Sequence, residues 1–254
     1  ETLEQLSLLT FIAAKTSRIR IVSGVMILPN RNPLVAAKIL ATIDVLSKGR
    51  LTVGVGVGWM REEFQTLNLP PFKERGSISN EYIRVFKELW SSDNPSFQGK
   101  YCSFSNIRFM PKPIQKPHPP IWIGGESPAA LKRVAALGDG WHPIGLNRRY
   151  PLETVDQIQK ATARLREYAE KMNRDPNEIE VAYRVPRYRL TSGDYSQPFI
   201  GNPQKVAEDI QAFAKVGVSH LIFDFRTSNL DTTMELIDGF AAKVMPQVEN
   251  FSIN

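Results

Sequence analysis

Apolar positions along the chain follow two periods, one typical of helices and one typical of strands. Residues 3–16 carry apolar side chains at helical spacing, and residues 19–28 (IRIVSGVMIL) form a short run rich in β-branched residues. A second helix is predicted over residues 33–47, because Asn32 is a good N-cap and a proline occupies the first helical position. The chain therefore opens with a helix, a buried strand and a helix.

A strand with regularly spaced glycines follows, LTVGVGVGW at residues 51–59. Gly54, Gly56 and Gly58 keep a period of two, whereas a dinucleotide-binding GxGxxG motif opens directly into a helix, so we predict a strand. One face is apolar and the other nearly bare. Two interpretations of the bare face are open: close approach of a ligand or another backbone, or tight packing inside a barrel.

The second half of the chain alternates regularly between strand and helix patterns. A helix is predicted around residues 78–90, followed by a Pro-rich connection at 94–120 whose length indicates short strands or a lid. Further strands are predicted at 120–124, 140–144, 179–185 and 220–225, and further helices at 128–137, 152–172, 203–216 and 231–245.

This alternation, with apolar strands, predicts an α/β fold with a parallel sheet and helices outside it. The choice lies between a doubly wound sheet and a TIM-like (β/α)8 barrel. Six strands are predicted where a barrel has eight, so we expect a barrel lacking its first strand, first helix and second strand at the N-terminus. We expect one domain over residues 1–254, N-terminally incomplete, in which 94–120 is a connection or insertion before the strand at 120–124.

Composition narrows the possible partners. The 254 residues are 42% apolar and 23% charged, with no apolar run long enough to span a membrane, so we expect a cytoplasmic protein. Cys102 is the single cysteine and the three histidines are scattered, so neither a disulfide nor a metal site is predicted. The net charge of +6 favours an anionic ligand, but the dispersed basic residues argue against nucleic acid.

The strongest local motif is the glycine turn that joins the predicted strand 120–124 to the next helix. Gly124 and Gly125 are followed by Glu126 and by Ser127, a good N-cap before a proline. Free N–H groups at a helix N-terminus favour an anion such as phosphate, provided that the Glu126 carboxylate points away. The alternative is a tight turn with a self-capped helix. For a similar motif at 201–206 (GNPQKV) we expect plain capping.

Residues that follow predicted strands are candidates for chemistry, because active sites of barrels lie at the carboxyl ends of the strands. His142 is a candidate acid, base or hydrogen-bond donor, or else a structural histidine bonded to a neighbouring carbonyl. Trp59 and Arg61 follow the glycine strand, and Arg61 is expected to bind an anionic group or a nearby glutamate. Asp139 and Arg184 are expected at the same rim, or in structural ion pairs.

Four stretches together resemble the bacterial luciferase-like monooxygenase superfamily, and most of all its coenzyme F420-dependent oxidoreductases. They are RNPLVAAKILATIDVLSKGRLTVGVGVGWMREEF, PPFKERG, PKPIQKPHPPIWIGGESPAALKRVAALGDGWHP and VAEDIQAFAKVGVSHLIFDFR. The resemblance implies a TIM-like barrel with its cofactor at the carboxyl rim. It also implies a strand bulge with a non-prolyl cis peptide near Ser23, Gly24 and Val25 that backs the cofactor ring.

The same resemblance implies further contacts with the cofactor. The ring approaches the backbone near Gly56 and Gly58, and the cofactor phosphate lies on the turn from Gly124 to Ser127. The expected activity is hydride transfer between coenzyme F420 and a small organic substrate. The alternatives are an FMN-dependent monooxygenase of the same fold and a non-catalytic flavin-binding protein. A homodimer is expected from the resemblance and from the largely apolar helix at 33–47.

Overall fold

The computed structural model describes residues 3–193 and 195–249. The chain divides into two compact units. The first runs to Gly124 and includes Ala136–Asp139, and the second consists of Gly125–Ala135 and the chain from Gly140 onward. Residues 1–2 and 250–254 of the predicted 1–254 domain lie outside the described residues, as does residue 194.

The first unit is built on parallel strands. They are β1 (Ile21–Val22), β2 (Met26–Ile27), β3 (Leu51–Gly56) and β6 (Ile121–Gly124). Both β1 and β2 pair with β3, which pairs with β6 on its other side. The helices are α1 (Gln5–Lys15), α2 (Pro33–Ser47), α3 (Arg61–Thr66) and α4 (Arg75–Ser91). The predicted strand at 19–28 is therefore two short strands.

The interruption between β1 and β2 is a β-bulge. Val22 pairs with Thr52 and Met26 pairs with Val55, so four steps along one strand match three along the other. One extra residue on one strand bends it and leaves its backbone outside the ladder. The bulge comprises residues 23–25.

Two buried carboxylates organise the connection between α4 and β6. Glu81 accepts the N–H groups of residues 100–102 at 2.7–2.9 Å, which fixes a hairpin of β4 (Phe97–Gln98) and β5 (Ser103–Phe104) on α4. Asp44 of α2 accepts both the backbone N–H of Ile114, at 2.7 Å, and groups of the next residue. The connection thus contains short strands, one of the two predicted alternatives.

The second unit contains a second parallel arrangement. Strand β8 (Glu180–Arg184) pairs with β7 (Gly140–His142) and with β11 (His220–Ile222). The helices are α5 (Pro128–Leu137), which belongs to this unit up to Ala135, α6 (Val155–Glu170), α7 (Pro203–Lys215), α8 (Leu230–Lys243) and α9 (Met245–Glu249). A pair that the sequence did not indicate, β9 (Arg189–Leu190) with β10 (Ile200–Gly201), lies beside α7.

All predicted strand regions are present, and several are shorter than predicted. The strand predicted over 51–59 ends at Gly56, because Gly58 adopts a left-handed φ of 82°. Helix α6 begins at Val155 instead of residue 152, because Thr154 forms a capping box with Gln157. The predicted α/β class with parallel strands is confirmed. Within the described residues, no helix is both long and apolar enough to cross a bilayer.

Candidate functional site

The glycines of β3 lie against the bulge of residues 23–25. A Cβ on Gly54 would overlap the carbonyl oxygen of Ser23, and a Cβ on Gly56 would lie 2.9 Å from Cγ2 of Val25. The Ser23 hydroxyl is buried and donates to the Gly54 carbonyl at 2.8 Å. The bare face of β3 therefore makes room for a neighbouring backbone. Contact of Gly56 with a cofactor ring stays a prediction.

The bulge has the feature that the family resemblance implied. The Gly24–Val25 peptide bond is cis and involves no proline, which confirms the expected position. Gly24 is exposed, whereas the hydroxyl of Ser23 is turned into the sheet. Any ligand contact of this segment would therefore use the backbone near Gly24, and the side chain of Ser23 is occupied.

Two of the candidate residues, Trp59 and Arg61, follow β3. Trp59 is 79% exposed. The Arg61 guanidinium lies 4.9 Å from the ring centroid of Phe72, so this arginine forms a cation–π contact, and its binding of an anionic group stays a prediction. Gly58 packs against Phe64, since a Cβ there would lie 2.9 Å from that ring. Trp59 and Arg61 are both exposed, so the side chains of both candidates are accessible to a ligand.

The turn that opens α5 matches its predicted geometry. The Ser127 hydroxyl accepts the N–H of Ala130 at 3.2 Å, and its carbonyl accepts that of Leu131 at 3.0 Å, which confirms Ser127 as the cap. Gly125 has a φ of 108°, and a Cβ on it would lie 3.1 Å from the Cβ of Ala130. Only glycine fits this conformation without strain, so the turn follows from Gly125.

Two side chains of the second unit hold this turn in place. Trp141, fully buried on β7, donates its indole N–H to the Gly125 carbonyl at 2.8 Å. The carboxylate of Glu126 accepts the N–H of Ile144 at 2.8 Å and the amide of Asn147 at 3.0 Å. The Glu126 carboxylate is therefore directed at the loop after β7, as an anion site at this turn requires.

The backbone donors of the turn are left available. Among the described residues, the N–H groups of Glu126, Ser127 and Ala129 have no acceptor. Such N–H groups at the start of a helix, together with the helix dipole, favour a negatively charged ligand. The turn is half-buried, so a phosphate could reach these groups from solvent. The residues present fit a phosphate-bearing cofactor.

His142 is in the environment of a structural histidine. Its side chain is 1% exposed, and Nδ1 lies 2.8 Å from the carbonyl oxygen of Ala182. Burial, the largest effect, lowers the pKa of His142 below its usual value, and the charge of Arg184 adds to it. The ring is therefore neutral at pH 7, with its Nδ1 proton donated to the carbonyl. This geometry favours the structural alternative for His142.

The expected rim position is wrong for Asp139. Its carboxylate accepts the N–H of Ile121 at 2.8 Å, and its own N–H donates to the carbonyl of Ile121. Asp139 therefore lies beside the first residue of β6, at the amino end of that strand. Its place in the sequence agrees, since Asp139 immediately precedes the first residue of β7. Lys87 and His118 lie 3.7–3.8 Å from its carboxylate oxygens. A structural ion pair, the other alternative, is what the structure contains.

Sequence reasoning missed Trp141 as a residue of the site. A buried indole usually finds an acceptor for its N–H, and in the sequence GDGWHP the tryptophan is central to a short buried strand. That signal indicates that an acceptor exists but does not identify Gly125, which lies sixteen positions earlier. The motif at 201–206 behaves as expected, because Asn202 caps α7 by accepting the N–H of Lys205 at 2.9 Å.

Known proteins are similar to this chain both in sequence and in fold. The family model described as luciferase-like monooxygenase matches residues 2–192. The FMNH(2)-dependent dimethylsulfone monooxygenase of Pseudomonas putida is 35% identical over 154 residues, covering 60% of this chain and 42% of that protein. The F420-dependent glucose-6-phosphate dehydrogenase of Amycolatopsis mediterranei (strain U-32) is 32% identical over 178 residues, covering 68% and 52%.

A solved structure extends the similarity to nearly the whole chain. The coenzyme F420-dependent tetrahydromethanopterin reductase from Methanopyrus kandleri matches with a TM-score of 0.78 at 18% identity, covering 97% of this chain and 88% of that one. At this identity the match shows the fold alone. It confirms the predicted relation to the barrel fold of the family.

The chain belongs to the luciferase-like monooxygenase family. It spans about half the length of the two curated relatives described above. The family includes proteins named for reduced FMN and proteins named for coenzyme F420, so membership by itself identifies a flavin or deazaflavin oxidoreductase family and leaves both cofactors possible.

Proposed function

We propose that the protein is an oxidoreductase that moves a hydride between coenzyme F420 and a small organic substrate. The observation that carries the binding of a phosphate-bearing cofactor is the turn from Gly125 to Ala129, in which backbone N–H groups have no acceptor among the described residues and the Glu126 charge is directed elsewhere; the choice of coenzyme F420 follows the family resemblance. In a member of this family, such a turn suits the phosphate of the cofactor. The bound cofactor would supply the redox chemistry.

The residues of the chain would then bind the cofactor and orient it. The N–H groups of Glu126, Ser127 and Ala129 would hold the phosphate. Trp141 would fix the carbonyl side of the same turn, so that the donors keep their direction without the ligand. Preorganised donors cost little reorganisation on binding. In the first unit, assignment of Ser23, Gly24 and Val25 to the ring stays a prediction.

An FMN-dependent monooxygenase is the second candidate. It is favoured by the 35% identity to an FMNH(2)-dependent monooxygenase over 60% of this chain. The turn serves either cofactor, because FMN and coenzyme F420 both carry phosphate. A homodimer and a cytoplasmic location also stay predictions.

Parallel titrations with coenzyme F420 and FMN test the proposal. Purified protein is titrated with each, and binding is followed by tryptophan fluorescence and by the absorption spectrum of the ligand. Tighter binding of coenzyme F420 supports hydride transfer, and substrates are then screened by the absorbance change of the coenzyme. A preference for FMN, together with substrate-dependent oxygen consumption, would establish the monooxygenase instead. Binding of neither ligand would contradict both candidates.

A further inference from the structure

Arg184 lies at the carboxyl end of the central strand of the second unit. It is the last residue of β8, opposite Ile222 of β11 on one side and bridged to Ile144 on the other. Ligands of parallel α/β sheets bind beyond the carboxyl ends of the strands. The position of Arg184 is therefore one from which a side chain reaches a ligand.

The alternation of β8 defines the face on which Arg184 lies. Tyr183 is buried and stacks on Phe213 of α7, with ring centroids 5.2 Å apart. Neighbouring strand residues point to opposite faces, so Arg184 lies on the face away from α7, together with Ala182. Because Trp141 is in register with Val181, His142 shares this face. This face carries polar side chains at its carboxyl end.

Arg184 belongs to a cluster with an excess of positive charge. The Asp224 carboxylate oxygen Oδ2 lies 2.9 Å from Nη2 of Arg184 and 2.6 Å from Nη2 of Arg226. Nε of Arg226 also donates to Oδ1 of Asp224, at 2.8 Å. The hydrogen bond from Arg226 is the largest of the effects that hold the pKa of Asp224 well below its usual range. One carboxylate thus balances two guanidinium groups.

The donors of the two arginines are used differently. Arg226 engages both oxygens of Asp224, whereas Arg184 gives it a single nitrogen. Within the described residues, Nε and Nη1 of Arg184 have no acceptor. A partly exposed ion pair typically adds only about 0–1 kcal/mol to stability. Stability therefore gives little reason for this arrangement, while Asp224 restrains the direction of Arg184.

We propose that Arg184, positioned by Asp224, binds an anionic group of the organic substrate, such as a carboxylate, sulfonate or phosphate. A guanidinium with free donors suits such groups because it can donate two parallel hydrogen bonds. The assignment of the anion to a substrate rests on the proposed oxidoreductase function. The existence of the anion site does not.

Sulfate is the probe for the anion site. Protein labelled with nitrogen-15 is titrated with sodium sulfate at constant ionic strength, and the Nε–Hε signals of arginine are followed by NMR. The Arg184 signal is expected to shift saturably. Sulfate binding at this cluster is compared between variants at the Arg226 signal, which they all retain, and Arg184→Gln should weaken it roughly 10-fold or more, because a hydrogen bond to a charged group is lost. The control Arg189→Gln removes the same charge from β9 and should bind sulfate like the wild type.

Either of two results would overturn the anion site: an Arg184 signal that does not saturate in the wild type, or a sulfate affinity at the Arg226 signal that is unchanged in Arg184→Gln. Cofactor titrations then show whether the anionic group that Arg184 binds belongs to the substrate or to the cofactor. Affinities of Arg184→Gln for coenzyme F420 and FMN within twofold of wild type support the substrate, whereas a 10-fold loss assigns the anion to the cofactor and refutes our assignment. If the wild type binds neither cofactor, the proposed function fails while the sulfate result still decides the anion site.

Discussion

Ser127→Asp separates the two roles that the turn before α5 can play, a helix cap and a phosphate site. The Ser127 hydroxyl accepts the N–H of Ala130 at 3.2 Å. Aspartate is as good an N-cap as serine, so the helix should keep its cap and its stability. The substitution adds one negative charge among the N–H groups proposed to hold the phosphate. A loss of cofactor affinity would thus report on the anion.

The expected loss follows from the separation of the charges. A carboxylate about 4 Å from a phosphate charge meets a repulsion of about 4 kcal/mol at an effective dielectric constant near 20. The turn is half-buried, and solvent reduces this to about 2–4 kcal/mol. The dissociation constant should therefore rise roughly 30- to 1000-fold.

The assay is a fluorescence titration with coenzyme F420 and with FMN at fixed ionic strength. Two control variants match the change. Ser127→Ala removes the cap without adding charge, so it should cost about 1 kcal/mol of unfolding free energy with little change in affinity. Asn202→Asp adds the same charge at the cap of α7 and should bind both cofactors like the wild type. If Ser127→Asp folds and binds both within threefold of the wild type, the phosphate does not lie at this turn.

Three further predictions concern stability and pH. Gly54→Ala should lower the free energy of unfolding in urea by about 1–3 kcal/mol, because its Cβ would overlap the bulge. Gly239→Ala on α8 has open space and should be neutral or slightly stabilising; equal effects of the two would refute this account. Asp44→Ala should cost about 1.5–3 kcal/mol in the same assay, because part-buried N–H groups lose their hydrogen bonds to a buried carboxylate, and a loss under 1 kcal/mol would contradict it. Unfolded His142 binds a proton near pH 6.5 that the folded state resists, so stability should fall as the pH drops below that value; His142→Asn should show a smaller fall in pH-dependent urea melts.

Local sequence signals predicted the longer helices and the parallel strands of the fold. Period-two spacing identified β3, and the residue types at Asn32, Ser127 and Asn202 identified three helix starts that the structure confirms. These signals act over a few residues, where the backbone geometry depends on neighbouring side chains. The short pair β9 and β10 was missed, since two-residue strands leave no period to detect.

Long-range partners could not be predicted in the same way. The carboxylate of Glu81 accepts three N–H groups some twenty positions away, and no local pattern in the sequence identifies them. Asp44 likewise serves residues 114 and 115. In each case the sequence gives a charged residue within a mainly apolar helical face, and its partner is defined only once the chain has folded. The same limit hid the bond between Trp141 and Gly125.

Glycine is required at two positions of this chain for different structural reasons. The presence of a glycine in the sequence does not distinguish between them. Gly54 is needed because the carbonyl of a bulged neighbour occupies the space of its Cβ, whereas Gly125 is needed for a left-handed turn. The missing side chain of Gly54 lets the bulge pack against β3, whereas the turn at Gly125 leaves N–H groups without an acceptor at the start of α5. A bare strand face is therefore weak evidence for a ligand, and the turn is the stronger evidence.

Recognition through main-chain N–H groups also bears on the identity of the cofactor. The proposed phosphate site at the turn would use main-chain N–H groups, and both FMN and coenzyme F420 carry a phosphate that such groups could hold. Relatives named for each cofactor are 35% identical over 154 residues and 32% identical over 178 residues of this chain, so sequence similarity does not choose between the two ring systems. If the turn holds the phosphate of either cofactor, discrimination between FMN and coenzyme F420 must come from side chains outside the turn. The ratio of the two affinities in the wild type, and not the effect of Ser127→Asp, is consequently the quantity that identifies the cofactor.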